Sequence, residues 1–155
     1  MNRTKFDNDP IPDHIHAAIS QAERLADERV WGRVYTLVSG VHDELEGIGI
    51  HSGYVLWLLA VVCDSVGRLE EAVGHIACAR AMDPADSRTL NSEKIILSHV
   101  YSLLQVAGPH DPEVLSLVEA VRLNFPASHP GLRQIEKKLA EAAAAADSTE
   151  GRAQA

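Results

Sequence analysis

Two apolar segments that meet at Gly67 constrain the fold of this chain more than any other feature. Each segment repeats its apolar residues in steps of three and four, the spacing of one face of an α-helix. The first carries Leu56, Leu59, Ala60, Cys63 and Val66, and the second carries Ala72, Val73, Ile76 and Ala79 before it stops at Asp83-Pro84. Because Gly67 and Arg68 leave room only for a tight turn, the two helices are expected to fold back antiparallel.

The details of this pair resemble a tetratricopeptide repeat. The matching features are glycine at the turn, the run Glu70-Glu71-Ala72, a second alanine at Ala79 and the closing Pro84. The resemblance is clear over 53–86 and degenerate elsewhere, and Ala60 stands where the family usually has glycine. It implies an all-α fold of about seven helices, a right-handed superhelical stack of antiparallel hairpins. In that family the first helices of the hairpins line a concave groove that holds a partner segment.

The remaining chain extends the same organisation. Asp13 is suited to cap a first helix, and Asp111-Pro112-Glu113 is a strong helix start. Pro130 opens a last helix that has one solvent-exposed face. We therefore expect a single helical domain over 13–146, with a flexible arm before it and a disordered tail after it. The predicted parts are an arm over 1–12, hairpins over 13–46, 53–83 and 87–125, a capping helix over 130–146 and a tail over 147–155.

Charge and hydropathy exclude several classes of protein. The 155 residues carry a formal net charge of −8, so no nucleic-acid partner is expected, since such proteins usually show a basic face. The longest apolar run, 54–63, is about half of the ~20 residues that span a membrane, and no secretory signal is seen at the N-terminus. Cys63 and Cys78 lie on apolar helix positions and are interpreted as core thiols of a cytoplasmic protein.

Motifs of catalysis and metal binding are absent from the sequence. It has no glycine-rich phosphate loop, nucleophile elbow or His-Glu-x-x-His pair, so an enzyme is not expected. His14 and His16 would point roughly 200° apart on a helix and could not share an ion. His75 and Cys78 are three apart, but Cys78 is expected to face the core. No metal and no cofactor are predicted.

A second apolar stripe on the helix that begins near Gly53 supplies the candidate binding residues. Tyr54, Trp57 and Val61 lie opposite the face that meets the partner helix, and Asp64 extends them. The resemblance implies that this side lines the groove, together with the corresponding face of the fifth helix. That face would present Arg88, Asn91, Ile95, Ser98 and His99. The competing interpretation is that Tyr54 and Trp57 simply pack against the first hairpin or the N-terminal arm.

These residues predict a module that binds a peptide or helix of a partner protein in an apolar groove. The family's best-known groove grips a carboxylate with Lys and Asn, whereas Trp57 and Val61 stand at those positions here, so an apolar or amphipathic segment is expected instead. Two other functions stay open. One is assembly with further copies of the chain, including a homodimer. The other is a secretion-type chaperone for a specific client, which rests on size, charge and repeat count alone.

Overall fold

The computed structural model describes residues 11–153, and the side chains of 11–146. Over this range the secondary structure is entirely α-helical, which confirms the predicted class and number of helices. The helices are α1 (Asp13–Asp27), α2 (Trp31–Gly47), α3 (Gly53–Ser65), α4 (Leu69–Met82), α5 (Ser87–Ala107), α6 (Pro112–Asn124) and α7 (Pro130–Ala153).

Two helices, α3 and α6, begin at a residue whose side chain caps the first turn. The Ser52 hydroxyl accepts a hydrogen bond from the Val55 backbone N–H at 3.2 Å and so begins α3. Asp111 accepts from two backbone N–H groups of α6, as its sequence context predicts. The prediction for α1 was wrong by one residue: Asp13 is the first helical residue, and Pro12 holds the cap position without a side-chain hydrogen bond.

The first three helices end in one shared hydrogen-bonding motif. After α3, the Arg68 N–H bonds to the Cys63 carbonyl at 2.8 Å and the Gly67 N–H bonds to the Asp64 carbonyl at 3.2 Å, and Gly67 has a φ of +82°. The same pair of bonds, with the same spacing, closes α1 and α2. This is a Schellman motif, in which one residue takes a left-handed conformation with positive φ. Glycine adopts this conformation without steric cost. After α1 that position is held by Arg29, at φ 60°.

The chain forms two compact units, Met1–Glu93 and Lys94–Ala155. In the first unit α1 packs on α2, α2 on α3, and α3 on α4. Alanine lets the helices approach closely, since Ala60, Ala72 and Ala79 have no exposed surface, and Ile76 fills the remaining space. Because α3 is covered on more than one side, eight of its 13 residues are buried.

A partly buried ion pair joins α4 to the first turns of α5. The Arg80 guanidinium donates to the Glu93 carboxylate, whose side chain is only 4% exposed. A carboxylate at this depth requires such a partner, because desolvation penalises an isolated charge. The pair therefore fixes the beginning of α5, including Arg88 and Ser92, relative to the helices of the first unit.

The second unit contains the remainder of α5 with α6 and α7. Helix α6 packs on α7, and the Arg122 guanidinium holds the Glu136 carboxylate across them at 2.6 and 3.2 Å. Helix α7 also comes close to α5, because a Cβ atom added at Gly131 would lie 2.7 Å from the Leu97 side chain. The core of this unit is built from Leu97, Val100, Leu104, Val114, Leu117, Val118, Val121, Phe125, Leu132 and Ile135.

Two sequence expectations have a different outcome, and a third lies almost wholly outside the described residues. The predicted arm over 1–12 lies outside the described residues except for 11 and 12. The predicted disordered tail begins within α7, which continues to Ala153, because the alanine run before 147 favours helix strongly. Cys78 does not face the core: its side chain is exposed, whereas Cys63 is buried as predicted. The buried face of α4 is formed by Ala72, Ile76 and Ala79. Cys78 lies on another face of this helix, which is exposed.

Candidate functional site

Tyr54 and Trp57 lie one turn apart at the start of α3 and their rings touch. The ring centroids are 5.5 Å apart with an angle of 45° between the planes. Tyr54 is buried, with 7% of its surface exposed, and Trp57 is half-buried. The pair forms because Ser52 fixes the first turn of the helix, which places residues 54 and 57 on one side.

The Tyr54 hydroxyl connects this pair to α1. It donates a hydrogen bond to the Glu23 carboxylate at 2.9 Å. Burial and the Glu23 charge beside it raise the pKa of the Tyr54 phenol, so it stays protonated and remains a donor across the physiological range. Tyr54 thus packs against the first hairpin, as the competing interpretation of the sequence proposed.

Trp57 is held from the other side by α5. Its indole N–H donates to the Ser92 hydroxyl at 2.9 Å. With its only polar group satisfied, the part of the ring that reaches the surface is carbon. Trp57 is therefore fixed in orientation while part of its apolar surface stays accessible.

Arg88 covers both aromatic rings. Its guanidinium carbon lies 5.2 Å from the centroid of each of Tyr54 and Trp57, within the range of cation–π attraction. Asp86 helps to position it, since one carboxylate oxygen accepts from the Arg88 backbone N–H at 2.9 Å and lies 3.8 Å from the side-chain Nε. The Arg88 side chain is still 42% exposed. Its outward N–H groups are therefore presented to solvent in a defined plane.

The structure brings together part of the predicted set. Tyr54, Trp57 and Arg88 form one cluster; Val61 and Asp64 lie half-buried further along α3, and the Asn91 side chain is exposed on α5. Ile95 and Ser98 belong to the second unit, where Ile95 is 45% exposed and the Ser98 hydroxyl donates to its carbonyl at 2.6 Å.

Two residues of this cluster were missed by the sequence analysis, Glu23 and Ser92. Both are polar residues between apolar helix positions, a pattern typical of a solvated face. Their partners lie 31 and 35 residues away in the chain, so no local spacing could have identified them.

A second cluster of side chains lies on α2 and α4. The imidazole rings of His42 and His75 meet edge to face, with centroids 5.6 Å apart, and His42 Nε2 lies 3.3 Å from the Glu46 carboxylate. Burial lowers the pKa of His75, and His42 beside it lowers it further. Within the residues whose side chains are described, no three His, Cys, Asp or Glu side chains are grouped so as to hold a metal ion.

None of the helices within the described residues combines the length and hydropathy needed to cross a bilayer. No protein family matches the chain, and neither a curated protein nor a solved structure matches it.

Proposed function

We propose that this chain is a cytoplasmic protein–protein interaction module, built as a tetratricopeptide-like stack of helical hairpins. It binds a segment of a partner protein on the surface formed by Trp57 and Arg88. We call this pair, with Tyr54 beneath it, the aromatic–arginine site. The observation that carries the proposal is an arginine that is stacked over two rings and yet remains 42% exposed.

Residue type and pre-organisation support this assignment. Tryptophan, tyrosine and arginine are the residues that most often dominate the energy of protein interfaces. Here the Ser92 hydroxyl fixes Trp57, and the two rings with Asp86 fix Arg88. A partner that binds these side chains would lose little conformational entropy in ordering them, since they are already held in place.

The geometry favours a partner segment with mixed character. An apolar side chain would pack on the accessible carbon surface of Trp57, and a carbonyl or carboxylate oxygen would accept from the outward N–H groups of Arg88. An amphipathic segment fits this combination. The two free thiols, Cys63 and Cys78, agree with a reducing compartment such as the cytoplasm.

The test is affinity capture from the native host, followed by quantitative mass spectrometry. Tagged wild-type protein is compared with Trp57→Ala, Asn91→Ala and Arg88→Gln. Arg33→Gln is the matched control, because Arg33 is an exposed residue of α2 and loses the same charge. Circular dichroism checks that each variant is folded.

The proposal predicts that a defined partner is retained by wild type and Arg33→Gln and depleted from Trp57→Ala, Asn91→Ala and Arg88→Gln. Unchanged capture by both Trp57→Ala and Asn91→Ala would remove this surface from consideration. Light scattering over a range of protein concentrations separates the module from a self-assembling protein, for which the mean mass would rise with concentration.

A further inference from the structure

The second unit contains a polar cleft, whereas the aromatic–arginine site belongs to the first unit. The cleft has a volume of about 340 Å³ and lies between α5 and α7. Tyr101 forms its α5 side. The α7 side is formed by Gln134, Lys137, Lys138 and Glu141.

The sequence of α7 places these four residues on one face. Their spacings of three, one and three residues keep them together on a helix, beside the stripe that buries Leu132 and Ile135 in the core. Lys138 and Tyr101 are half-buried, whereas the other three lining residues are exposed. Both lysine side chains therefore extend along the same wall.

The lining of the cleft contains several hydrogen-bond donors and more positive than negative charge. Lysine ammonium groups are donors only, and a phenol and an amide can donate as well. Among the residues whose side chains are described, neither Lys137 nor Lys138 makes an ion pair or a hydrogen bond through its ammonium group. The neighbouring acid, Glu136, is occupied by Arg122 at 2.6 Å. Glu141 is the one carboxylate of the lining, against two ammonium groups.

We propose that this cleft binds a phosphomonoester, with Lys137 and Lys138 holding the phosphate oxygens. An ammonium group is a compact point charge with three rotatable donors, and lysine binds phosphate groups in this way. The Tyr101 hydroxyl and the Gln134 amide supply further donors at the same cleft. The volume exceeds that of a phosphate group, so the substituent that carries the phosphate also has room.

This local excess of positive charge stands out in a chain of net charge −8. Long-range repulsion from the rest of the molecule would reject a phosphate unless local donors outweigh it. Screening reduces the long-range part at physiological salt, where the Debye length is about 8 Å, while contacts inside the cleft are screened less. The inference does not depend on the aromatic–arginine site, which lies in the first unit.

The test is a titration of the full-length ¹⁵N-labelled protein, followed by heteronuclear NMR of the backbone amides. Three probes are used in separate titrations: inorganic phosphate, a short peptide with one phosphoserine, and the same peptide without the phosphate. We expect saturable shifts centred on Tyr101 and residues 134–141 with both phosphate-bearing probes and none with the third. Tighter binding of the phosphopeptide would identify a phosphorylated side chain as the source, and equal binding would identify a small phosphate compound.

Substitutions of the lining residues should change the affinity for phosphate in opposite directions. Lys137→Gln and Lys138→Gln each remove a charge-assisted hydrogen bond and should weaken binding by roughly tenfold. Glu141→Gln removes the opposing charge and should tighten binding by roughly twofold to fivefold. Arg133→Gln is the control, since Arg133 is an exposed residue of the same helix outside the lining.

No saturable shift up to about 20 mM phosphate, well above the ~1 mM affinity of even weak specific sites, would overturn the proposal. An equal loss of binding in Arg133→Gln and in the lysine variants would overturn it too. Binding would then depend on the overall charge of α7 and not on the cleft.

Discussion

The indole N–H of Trp57 donates to the hydroxyl of Ser92 at 2.9 Å, and this bond joins α3 to α5. The bond gives the only polar atom of the Trp57 side chain a partner within the protein. The half-buried ring is consequently fixed on one edge, while its carbon surface is left partly accessible next to Arg88.

Removing the acceptor should cost stability. We expect Ser92→Ala to lower the free energy of unfolding by about 1 kcal/mol, because the indole N–H loses its partner in a partly buried setting. Urea denaturation followed by Trp fluorescence measures the change. Ser102→Ala, at an exposed position of the same helix, controls for the better helix propensity of alanine. A double-mutant cycle with Trp57→Phe should give a coupling near the same value; a coupling of zero would show that the bond contributes nothing.

The left-handed turn after α1 gives a prediction of the opposite sign. Arg29 holds a φ of 60°, which costs a residue with a side chain roughly 1–2 kcal/mol relative to glycine. Arg29→Gly should therefore raise the free energy of unfolding by about 1 kcal/mol. Gly67→Ala is the reverse experiment, at φ +82° with no atom within 4 Å of the added Cβ, and should lower it by a similar amount. If both variants have wild-type stability, the turns do not have these conformations.

The pair His42–His75 makes stability depend on pH. The pKa of His75 is lowered from its ordinary value of 6.5, chiefly by burial, so the unfolded chain binds the proton more readily than the folded one. This contribution is fully present above pH 6.5 and is lost as the pH falls toward the lower pKa of the folded state. Glu46 and Glu71 face the pair and moderate the effect.

The measurement is urea denaturation of wild type and His75→Gln at pH 7.5 and pH 5.5. We expect wild type to lose more free energy of unfolding between the two values than His75→Gln does. Groups remote from this pair contribute equally in both proteins, so the difference reports on the His75 side chain and its contact with His42. Parallel pH profiles would contradict the assignment.

The two cysteines should differ in reactivity. Burial raises the pKa of the Cys63 thiol to about 12, whereas Cys78 is exposed. Since the thiolate is the reactive form, iodoacetamide should modify Cys78 in the native protein and reach Cys63 only after unfolding. Peptide mass spectrometry after a short labelling pulse checks this. Equal labelling of both residues under native conditions would mean that α3 is not packed as described.

The helices could be predicted from the sequence because their signals are local. Apolar steps of three and four, the helix starts at Asp111 and Pro130 and the turn at Gly67 each act within a few residues. The predictions failed where a local signal was weak or had a rival. Asp13 and Pro12 both suit the first turn of a helix, and the alanine run before residue 147 carries α7 further than the polar tail suggested.

The candidate site was only partly predictable for the opposite reason. Trp57, Tyr54 and Arg88 stood out by residue type and helical face. Glu23 and Ser92 did not, because their roles arise from contacts between helices that are distant in the chain. The exposure of Cys78 was missed because α4 carries apolar residues on more than one face. Only the packing of the helices decides which of these faces is buried.

Site-specific photo-crosslinking tests the central claim most directly. A photoreactive phenylalanine derivative is placed at position 91, which is exposed on α5 near Arg88 and Ser92, and at position 33 on α2 as the control. The proposed function predicts one discrete heteromeric adduct in cells from position 91, abolished by Trp57→Ala and absent from position 33. No adduct from position 91, an equal yield from position 33, or an adduct made only of two copies of this chain would contradict it.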